Sequence, residues 1–393
     1  MSLTEIGIHG YRSIRDLRMP LRRLTVLVGA NGVGKTNLYR SLELLHAAAT
    51  GRLADEIAGE GGLGSVFWAG GKNLTPDGRF DPMHRTDGYR KGDGPARVKL
   101  DVTLDDVFED GEAASYAVEV GFPQPFVSAA FPTEAQIKRE VVTVNRNGGA
   151  VTMLEREGQA ARIRDSSGKR TLVTEALMAS ETALSSLQGA YPTLDAVRHV
   201  LSAWRFYHGF RTDRESPLRR PALAVTSPLL SADGANLAAV FATLRHIREE
   251  SVDLDDAIEA AFPGARLNVP IPEGSASFSL TFPDVPKRAF GAAELSDGTL
   301  HFLALMGALL SYRLPPFIAL NEPETSLHPD LLPALAKIIG RAAARTQIWV
   351  VTHSEPLADA LAAETGVVVR RVIRREGNTW IEGLTQFASF EDE

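Results

Sequence analysis

Residues 29–36 read Gly-Ala-Asn-Gly-Val-Gly-Lys-Thr and match the pattern G-x-x-x-x-G-K-[ST] at every position. An apolar run over residues 24–28 precedes this segment, and a helical pattern that ends at Gly51 follows it. A glycine-rich loop of this kind needs a strand before it and a helix after it, which commits the start of the chain to an α/β arrangement. The sequence therefore predicts a loop that holds the phosphates of a nucleoside triphosphate.

The residue types in this loop suit that chemistry. Glycines let backbone N–H groups turn inward around phosphate oxygens, and the following helix directs its positive end to the same point. The ammonium group of Lys35 is expected to reach the β- and γ-phosphates, and the hydroxyl of Thr36 to ligate Mg²⁺. The residues expected to contact the nucleotide are Gly29, Asn31, Gly32, Val33, Gly34, Lys35, Thr36 and Asn37.

Composition restricts the remaining chemistry. The chain has 393 residues, a formal net charge of −7 and no cysteine. The acidic balance excludes a uniformly basic nucleic-acid surface, and the lack of cysteine excludes disulfides, thiolate zinc sites and cysteine nucleophiles. Residues 1–5 lack the features of a signal peptide, and the apolar stretch over 301–312 is too short to span a bilayer. We therefore expect a cytoplasmic protein without a membrane-spanning segment.

The final third of the chain predicts the fold class. Short apolar strands over 317–320, 348–351 and 367–369 alternate with helices, which favours a parallel sheet covered on both faces. We expect an α/β P-loop fold in which a mixed sheet is flanked by helices, with an antiparallel β lobe and a helical insertion.

The middle of the chain predicts the insertions. Alternating patterns indicate antiparallel strands at 98–104, 116–120, 141–144 and 161–164, and helical patterns occur near 193–203 and 236–248. The expected domains are a split nucleotide-binding core (1–50 and 290–393), a mostly antiparallel β lobe (51–170) and a helical insertion with returning strands (171–289).

Three further motifs place polar groups beside predicted strands and helices of the final third. Ser296 and Gly298 lie at the start of a helix, where a hydroxyl and backbone N–H groups can bind an anion. Glu322 follows an apolar strand, and a carboxylate there can orient or deprotonate the water that attacks a γ-phosphate. His353 follows another apolar strand, from which its imidazole can reach the γ-phosphate. The predicted catalytic residues are Glu322 and His353.

Each of these residues also has a simpler structural interpretation. Ser296 can be only the N-cap of its helix, Glu322 a solvated carboxylate and His353 a structural histidine. For Glu324 the simpler interpretation is favoured, namely a solvated carboxylate at the strand end or a charge at a helix start. Because the other motifs occur in sequence with a complete phosphate loop, we favour their functional interpretation.

The motifs and their order along the chain resemble those of the ABC-type ATPase heads. Such heads carry a Walker A loop, a Leu-Ser-x-Gly signature, a Walker B strand followed by glutamate, and a switch histidine. More narrowly, three segments resemble the ATPases grouped with RecF, the OLD nucleases and the SMC heads. These segments are GIHGYRSIRD at 7–16, LNEPETSLHP at 320–329 and THS at 352–354. The resemblance implies an ABC-ATPase-like fold, with ATP and Mg²⁺ as cofactors.

The resemblance also implies an assembly. In such proteins ATP is sandwiched between two heads, so Lys35 and Thr36 of one head would face Ser296 and Gly298 of the other. We therefore expect a homodimer that forms around ATP. Arg12, in the opening segment, is a further candidate for nucleotide binding.

Three positions depart from the family pattern. Asn321 stands where the Walker B strand carries aspartate or glutamate, and the lost charge weakens attraction for the divalent ion. We still expect Asn321 and Thr36 to be the metal ligands, and we expect hydrolysis to be slow. Asp297 stands where transporters have glycine, and its carboxylate would oppose an incoming γ-phosphate unless it points away. After the first helix, the first glutamine is Gln124, so the family's Q-loop role stays unassigned.

Two other classes of function stay open. A monomeric P-loop phosphotransferase would have no use for the signature, whereas an ATP-gated binding module, in which hydrolysis is incidental, is favoured by Asn321. Members of the resembled group act in DNA repair, DNA maintenance or phage defence, usually with a nuclease. The resemblance therefore implies DNA and a nuclease or other effector protein as partners, and no membrane.

Two arginine clusters are candidates for DNA contact: Arg205, Arg211, Arg214, Arg219 and Arg220, and Arg370, Arg371, Arg374 and Arg375. The favoured interpretation of both clusters is a solvated face with salt bridges, because charge runs of this kind are common on surfaces that bind nothing.

Overall fold

The computed structural model describes residues 2–68, 96–108, 111–123, 131–146, 148–165, 168–189, 191–247 and 251–391. Contacts between Cα atoms divide the chain into two units, each built from separate segments. We call the first the antiparallel unit; it consists of Met1–Arg22, Gly29–Trp204 and Arg371–Glu393. The second, the parallel unit, consists of Arg23–Val28 and Arg205–Arg370.

The elements are numbered in chain order. The strands are β1 (Ser2–Tyr11), β2 (Ile14–Pro20), β3 (Leu24–Val28), β4 (Val98–Asp105), β5 (Ala114–Gly121), β6 (Gln136–Arg146), β7 (Gly149–Glu157), β8 (Ala160–Arg164), β9 (Arg170–Leu172), β10 (Arg205–Tyr207), β11 (Ala222–Leu223), β12 (Arg266–Asn268), β13 (Ser275–Ala276), β14 (Ser279–Thr281), β15 (Ala289–Gly291), β16 (Phe317–Asn321), β17 (Gln347–Thr352), β18 (Arg370–Arg375) and β19 (Asn378–Ile381). The helices are α1 (Lys35–Thr50), α2 (Leu53–Gly59), α3 (Leu63–Val66), α4 (Ala183–Ser186), α5 (Pro192–Ser202), α6 (Leu237–Ile247), α7 (Ser251–Ala261), α8 (Asp297–Leu310), α9 (Leu332–Ala343) and α10 (Glu355–Thr365).

The antiparallel unit contains an eight-stranded sheet in the order β2-β1-β4-β5-β6-β7-β8-β9. Its buried apolar residues lie directly opposite one another. Leu100 pairs with Val118, and Tyr116 lies between Val102 and Val142 on the two neighbouring strands. Such cross-strand pairs stabilise a sheet and determine its register. The four strands predicted in this region are confirmed as parts of β4, β5, β6 and β8.

Helix α1 directly follows the glycine-rich loop and confirms the predicted strand–loop–helix order. It contacts β1, β4 and α5, and its residues Leu38, Leu42 and Leu45 are fully buried. The helix ends as predicted at Gly51, whose backbone N–H donates to Ala47 O. Packing along its whole length therefore holds the first turn of α1, and the loop in front of it, in a defined position.

Four strands of the parallel unit run parallel in the order β10-β16-β17-β3. Every residue of β3, β16 and β17 is buried, as is usual for parallel strands covered by helices. Helix α8 contacts α9, which in turn contacts α10 and β17. The register places Asn321 opposite Val351 and Thr352 opposite Val28. The carboxyl ends of β16, β17 and β3 consequently lie at one edge of the sheet.

One predicted strand is wrong. Residues 367–369 are irregular, and the strand begins only at Arg370 as β18. β18 reads Arg-Arg-Val-Ile-Arg-Arg, pairs with β19 in an antiparallel hairpin, and has Val372 as its single buried residue. The apolar run on which the prediction relied therefore precedes the strand, whereas the strand itself has a charged sequence.

Two predicted helices are confirmed, whereas the predicted domain boundaries and location stay predictions. The helices predicted near 193–203 and 236–248 are confirmed as α5 and α6. The predicted domain boundaries stay a prediction. Within the described ranges, no helix combines the length and the apolar character that crossing a membrane requires. The cytoplasmic location stays a prediction.

A charge cluster around the buried side chain of His9 joins β1 to its two neighbours. His9 Nδ1 lies 2.7 Å from Asp16 on β2, and His9 Nε2 lies 3.3 Å from Asp101 on β4. Burial by itself lowers the pKa of His9, but hydrogen bonds to the two carboxylates outweigh it and raise the pKa above its ordinary value. Burial likewise disfavours ionised Asp101, yet the hydrogen bond to His9 and two nearby cations lower its pKa to about 2.

This cluster gives stability a pH dependence of defined sign. The pKa of His9 is higher in the folded than in the unfolded protein, where it is about 6.5. Protonated His9 therefore stabilises the fold below that pH, and this contribution is lost as the pH rises through the folded pKa. The thermal midpoint should therefore fall between about pH 6 and about pH 9, and fall less in His9→Gln. His199→Gln, at an exposed position of α5, should keep the wild-type slope. Equal slopes for His9→Gln and the wild type would contradict the assignment.

Candidate functional site

The phosphate loop begins after Val28 and leads into α1, whose first residue is Lys35. The side chain of Lys35 folds back over the loop, where Nζ donates to Gly29 O at 2.5 Å and to Ala30 O at 2.8 Å. Only 4% of Lys35 is exposed, so the ammonium group is held inside the loop. An ammonium group in this position supplies the positive charge that phosphate oxygens require.

The start of helix α1 fits an anion. Among the described residues no side chain caps its N-terminus, where Gly34 has a left-handed backbone with φ of 101°. A Cβ at Gly34 would also overlap Thr379 Oγ1, so glycine is required on both counts. Since no described side chain occupies this N-terminus, the helix dipole directs positive potential toward an anion bound there. Thr36 lies in this first turn and is exposed, as a ligand of a nucleotide-bound metal must be.

A chain of hydrogen bonds supports the loop. Asn37 Nδ2 donates to Ser13 Oγ at 2.6 Å. Ser13 Oγ lies 2.6 Å from Thr379 Oγ1, which donates to Val33 O at 2.8 Å. Asn37 therefore supports the loop through Ser13, and its predicted contact with nucleotide stays a prediction. Sequence reasoning missed Ser13 and Thr379; the first lies in the matched opening segment, whereas the second carries no local signal.

Two other sequence expectations concern Arg12 and the glutamine of the Q-loop. Arg12 has a left-handed backbone with φ of 48°, and its guanidinium pairs with Glu60 at 2.8 Å. Tyr11 also donates to Glu60, so this carboxylate holds the opening segment in place. A role for Arg12 at the nucleotide stays a prediction, in which the phosphates would compete with Glu60. Gln124, the first glutamine after α1, lies outside the described residues.

Glu322 leaves the sheet directly after β16. Its backbone has a left-handed φ of 49°, and its N–H donates to Val351 O at 2.7 Å. For a residue other than glycine this conformation costs about 1–3 kcal/mol, and such residues cluster at active sites and ligand-binding turns. The side chain is 34% exposed, so water has access to its carboxylate.

His353 follows β17 and is oriented by a buried carboxylate. Its Nδ1 lies 3.2 Å from Glu324 Oε1 and 3.6 Å from Glu322 Oε1. Glu324 Oε1 also accepts from Thr352 Oγ1 at 2.6 Å and from His353 N at 3.1 Å. With Nδ1 bound in this way, the imidazole presents Nε2 away from Glu324. The sheet edge therefore carries a histidine of defined orientation beside the carboxylate of Glu322.

The interpretation of Glu324 as a solvated carboxylate is wrong. Its side chain is only 6% exposed. The left-handed turn at Glu322 folds the chain back, and His301 lies 3.2 Å from Pro323 O within that turn. Burial lowers the pKa of His301, which keeps this contact neutral. Glu324 consequently lies below the end of β17 rather than in solvent.

The side chain of Asn321 has a buried oxygen that suits a metal ion. Its side chain is 4% exposed, and Nδ2 lies 2.6 Å from His208 Nδ1. Its Oδ1 is buried and has no hydrogen-bond partner among the residues that the structure describes. A buried amide oxygen without a partner suits a hard divalent cation, which prefers oxygen ligands.

Three residues of the signature segment, Ser296, Asp297 and Gly298, also have structural roles. Ser296 Oγ accepts from Thr299 N at 3.2 Å, so Ser296 is the N-cap of α8. Asp297 pairs with Arg219 at 2.6 Å, which offsets the charge expected to oppose a phosphate. A Cβ at Gly298 would lie 2.7 Å from the carbonyl oxygen of Ser326, so glycine is needed there for close packing. The N-cap role of Ser296 does not remove its hydroxyl from the exposed helix end.

The first arginine cluster is largely committed to ion pairs. Arg211 pairs with Asp213 and Arg220 pairs with Glu215, in addition to the pair between Arg219 and Asp297. For these three arginines the predicted salt bridges are confirmed. DNA contact by either cluster stays a prediction.

Two comparisons of sequence place the chain among known proteins. A family model described as "AAA domain, putative AbiEii toxin, Type IV TA system" matches residues 24–359. The DNA replication and repair protein RecF of Anaeromyxobacter sp. (strain Fw109-5) is 31% identical over 112 residues, which cover 23% of this chain and 30% of the relative. The match thus spans less than a third of that protein's length.

A comparison of structures addresses the fold. The crystal structure of the SmcHead bound to the C-winged helix domain of ScpA matches with a TM-score of 0.55 and 13% identity, over 98% of this chain and 99% of that chain. At this identity the likeness shows the fold alone. The predicted fold class, an ABC-ATPase-like P-loop fold, is confirmed, and so is the resemblance to ATPase heads of the RecF and SMC group.

The bonds to Glu324 predict a difference between two substitutions. Glu324→Ala removes the acceptor of the buried Thr352 hydroxyl and of the part-buried His353 N–H, and should lower the free energy of unfolding by about 1–3 kcal/mol. Glu324→Gln retains an acceptor oxygen and should lose clearly less. Chemical denaturation measures both, with Glu364→Ala at an exposed position of α10 as the control. The account of this turn fails if Glu324→Ala is as stable as the control.

Proposed function

The chain belongs to the family of AAA domains described as putative AbiEii toxins of type IV toxin–antitoxin systems, and we propose that it binds ATP with Mg²⁺ and hydrolyses it slowly. One observation carries the proposal. The phosphate loop, with its buried Lys35, follows β3 directly in the chain. β17, which pairs with β3, ends in Thr352, and β16, which pairs with β17, ends in Asn321. Glu322 and His353 are the next residues after those two strand ends.

Each side chain has a role in the proposed reaction. Lys35 and the N-terminal N–H groups of α1 bind the β- and γ-phosphates. Glu322 takes a proton from the attacking water. The water oxygen then bonds to the γ-phosphorus while the bond between the γ-phosphorus and the departing ADP oxygen breaks. His353, oriented by Glu324, contacts the γ-phosphate through Nε2. Gly29, Asn31, Gly32, Val33 and Gly34 contribute backbone groups of the loop.

Thr36 and Asn321 would hold the Mg²⁺ ion. When bound, the ion neutralises part of the negative charge on the phosphate oxygens. Because Asn321 contributes a neutral oxygen, the attraction for the ion is weaker than with a carboxylate. Slow hydrolysis is therefore part of the proposal.

The exposed start of α8 supports a head-to-head homodimer. The Ser296 hydroxyl and the first N–H groups near Gly298 lie at a helix N-terminus, where the positive end of the dipole favours an anion. The ion pair between Asp297 and Arg219 reduces repulsion at this point. We propose that the anion is the γ-phosphate held by a second copy of the chain.

A second candidate function is an ATP-gated clamp in which hydrolysis is incidental. Asn321 favours it, because an amide in place of a carboxylate lowers turnover while leaving Lys35 to bind ATP. A monomeric phosphotransferase is less well supported, since it gives no role to the signature at Ser296 and Gly298.

The proposed setting is DNA-related. The RecF relative is named as a DNA replication and repair protein, and the SMC head was crystallised with part of ScpA. We propose that this chain likewise acts in DNA repair, DNA maintenance or phage defence, with a nuclease or other effector protein as partner. Purification with its neighbouring gene products, with and without ATP, tests for such a partner.

Nucleotide binding should depend on Lys35. Lys35→Ala removes the cation of the loop and should weaken ATP binding at least about a hundredfold, or about 3 kcal/mol. Lys337→Ala, at an exposed position of α9, is the matched control and should bind normally. Isothermal calorimetry measures both, and near wild-type affinity in Lys35→Ala would overturn the assignment of the loop.

Assembly should depend on the unhydrolysed nucleotide. Glu322→Gln should slow hydrolysis by about a hundredfold or more, because a general base is lost, and should therefore accumulate a dimer in ATP and Mg²⁺. The double variant Lys35→Ala/Glu322→Gln should stay monomeric. Light scattering at micromolar protein measures the mass. A monomeric Glu322→Gln in saturating ATP and Mg²⁺ would rule against the sandwich.

A further inference from the structure

Asn321 of the Walker B strand is hydrogen-bonded to His208, a residue that belongs to none of the ATPase motifs. His208 directly follows β10, which pairs with β16 in parallel so that Tyr207 lies opposite Leu320. His208, just past the end of β10, thus lies beside Asn321, the last residue of β16, and Asn321 Nδ2 lies 2.6 Å from His208 Nδ1.

Buried neighbours constrain the backbone at His208. Its neighbour Tyr207 is 2% exposed and donates to Leu230 O at 3.1 Å. Phe210, two residues on, is also buried, and its ring centroid lies 5.5 Å from that of Tyr207. Buried residues before and after it therefore hold the backbone at His208, whose exposed side chain contacts Asn321 through Nδ1.

An amide differs from a carboxylate in a way that makes such a partner useful. A carboxylate presents an oxygen on either side, whereas an amide presents Oδ1 on one side and the Nδ2 donor on the other. Rotation of the Asn321 amide by half a turn would direct N–H groups at a cation and repel it. A neutral imidazole that accepts at Nδ1 selects one orientation, because only Nδ2 can donate to it.

We propose that His208 is a positioning residue, which binds Asn321 Nδ2 and thereby holds Asn321 Oδ1 toward the metal ion that accompanies ATP. The inference rests on the proposed function, since it takes the metal to be the one bound with the nucleotide. The buried Oδ1 without a partner among the described residues supports it, because a purely structural asparagine would have its oxygen paired. In other metal sites, residues that hydrogen-bond to a ligand orient it in the same way.

The test separates metal binding from nucleotide binding and from turnover. Calorimetry measures the affinity of the non-hydrolysable analogue AMP-PNP, once with saturating free Mg²⁺ and once with EDTA. The ratio of the two affinities, here called the metal ratio, reports how much the ion contributes. His208→Ala should lower the metal ratio about tenfold, the usual effect of losing a residue that orients a metal ligand, and leave the affinity in EDTA unchanged.

Three further variants make the result specific. His208→Asn places an acceptor oxygen close to the position of Nδ1 and should restore most of the metal ratio. In an Asn321→Asp background, His208→Ala should change the ratio by less than about twofold, because a carboxylate needs no orientation. His246→Ala, at an exposed histidine of α6, should behave as wild type.

Two results would overturn the proposal while leaving the ATPase assignment intact. One is a metal ratio in His208→Ala equal to that of the wild type, with Asn321→Asp changing it. The other is an equal loss from His208→Ala in the wild-type and Asn321→Asp backgrounds, which would indicate a general structural effect. A wild-type metal ratio of one, or tight binding by Lys35→Ala, would instead remove the proposed metal or nucleotide site and the inference with it.

Discussion

The parallel pairing of β3 with β17 is the constraint on which the rest of the site depends. It places Val28 opposite Thr352, so the chain enters the phosphate loop at the edge where β17 ends. Because β16 pairs with the other side of β17, Asn321 ends at that edge as well. A shift of one residue in this register would turn each strand-end side chain to the opposite face of the sheet. Residues from distant parts of the sequence are thereby brought to the same edge of the sheet.

Side-chain bonds then stiffen the strand ends. Glu324 binds both Thr352 and His353 through a single oxygen, and so connects the turn after β16 to the end of β17. The Asn321–His208 pair connects β16 to β10 on its other side. In the proposed reaction, groups held in this way would need little rearrangement when charge develops on a phosphate. Preorganised groups of this kind usually make the largest electrostatic contribution to catalysis. The strained backbone at Glu322 is consistent with a site whose surroundings impose its geometry.

Contiguous patterns could be predicted from the sequence, and contacts between distant residues could not. The loop at Lys35 and the helix after it were predictable because a strand, glycines and a helical period occur in one short stretch. The partners of Asp297 and Asn321 were not, since one sequence carries no signal that Arg219 or His208 lies beside them. Glu324 was misjudged because a residue after a strand normally meets solvent, and nothing local reveals the turn that buries it.

The central claim is that this chain is a slow ATPase whose active site is completed by a second copy of itself. Phosphate release per molecule, measured in ATP and Mg²⁺ over a range of protein concentrations from nanomolar to micromolar, tests that claim most directly. The account predicts a low rate per molecule that rises with protein concentration, because each site needs Ser296 and Gly298 from a partner. Release no faster than in buffer at every concentration, or a rate per molecule that stays constant throughout the range, would contradict it.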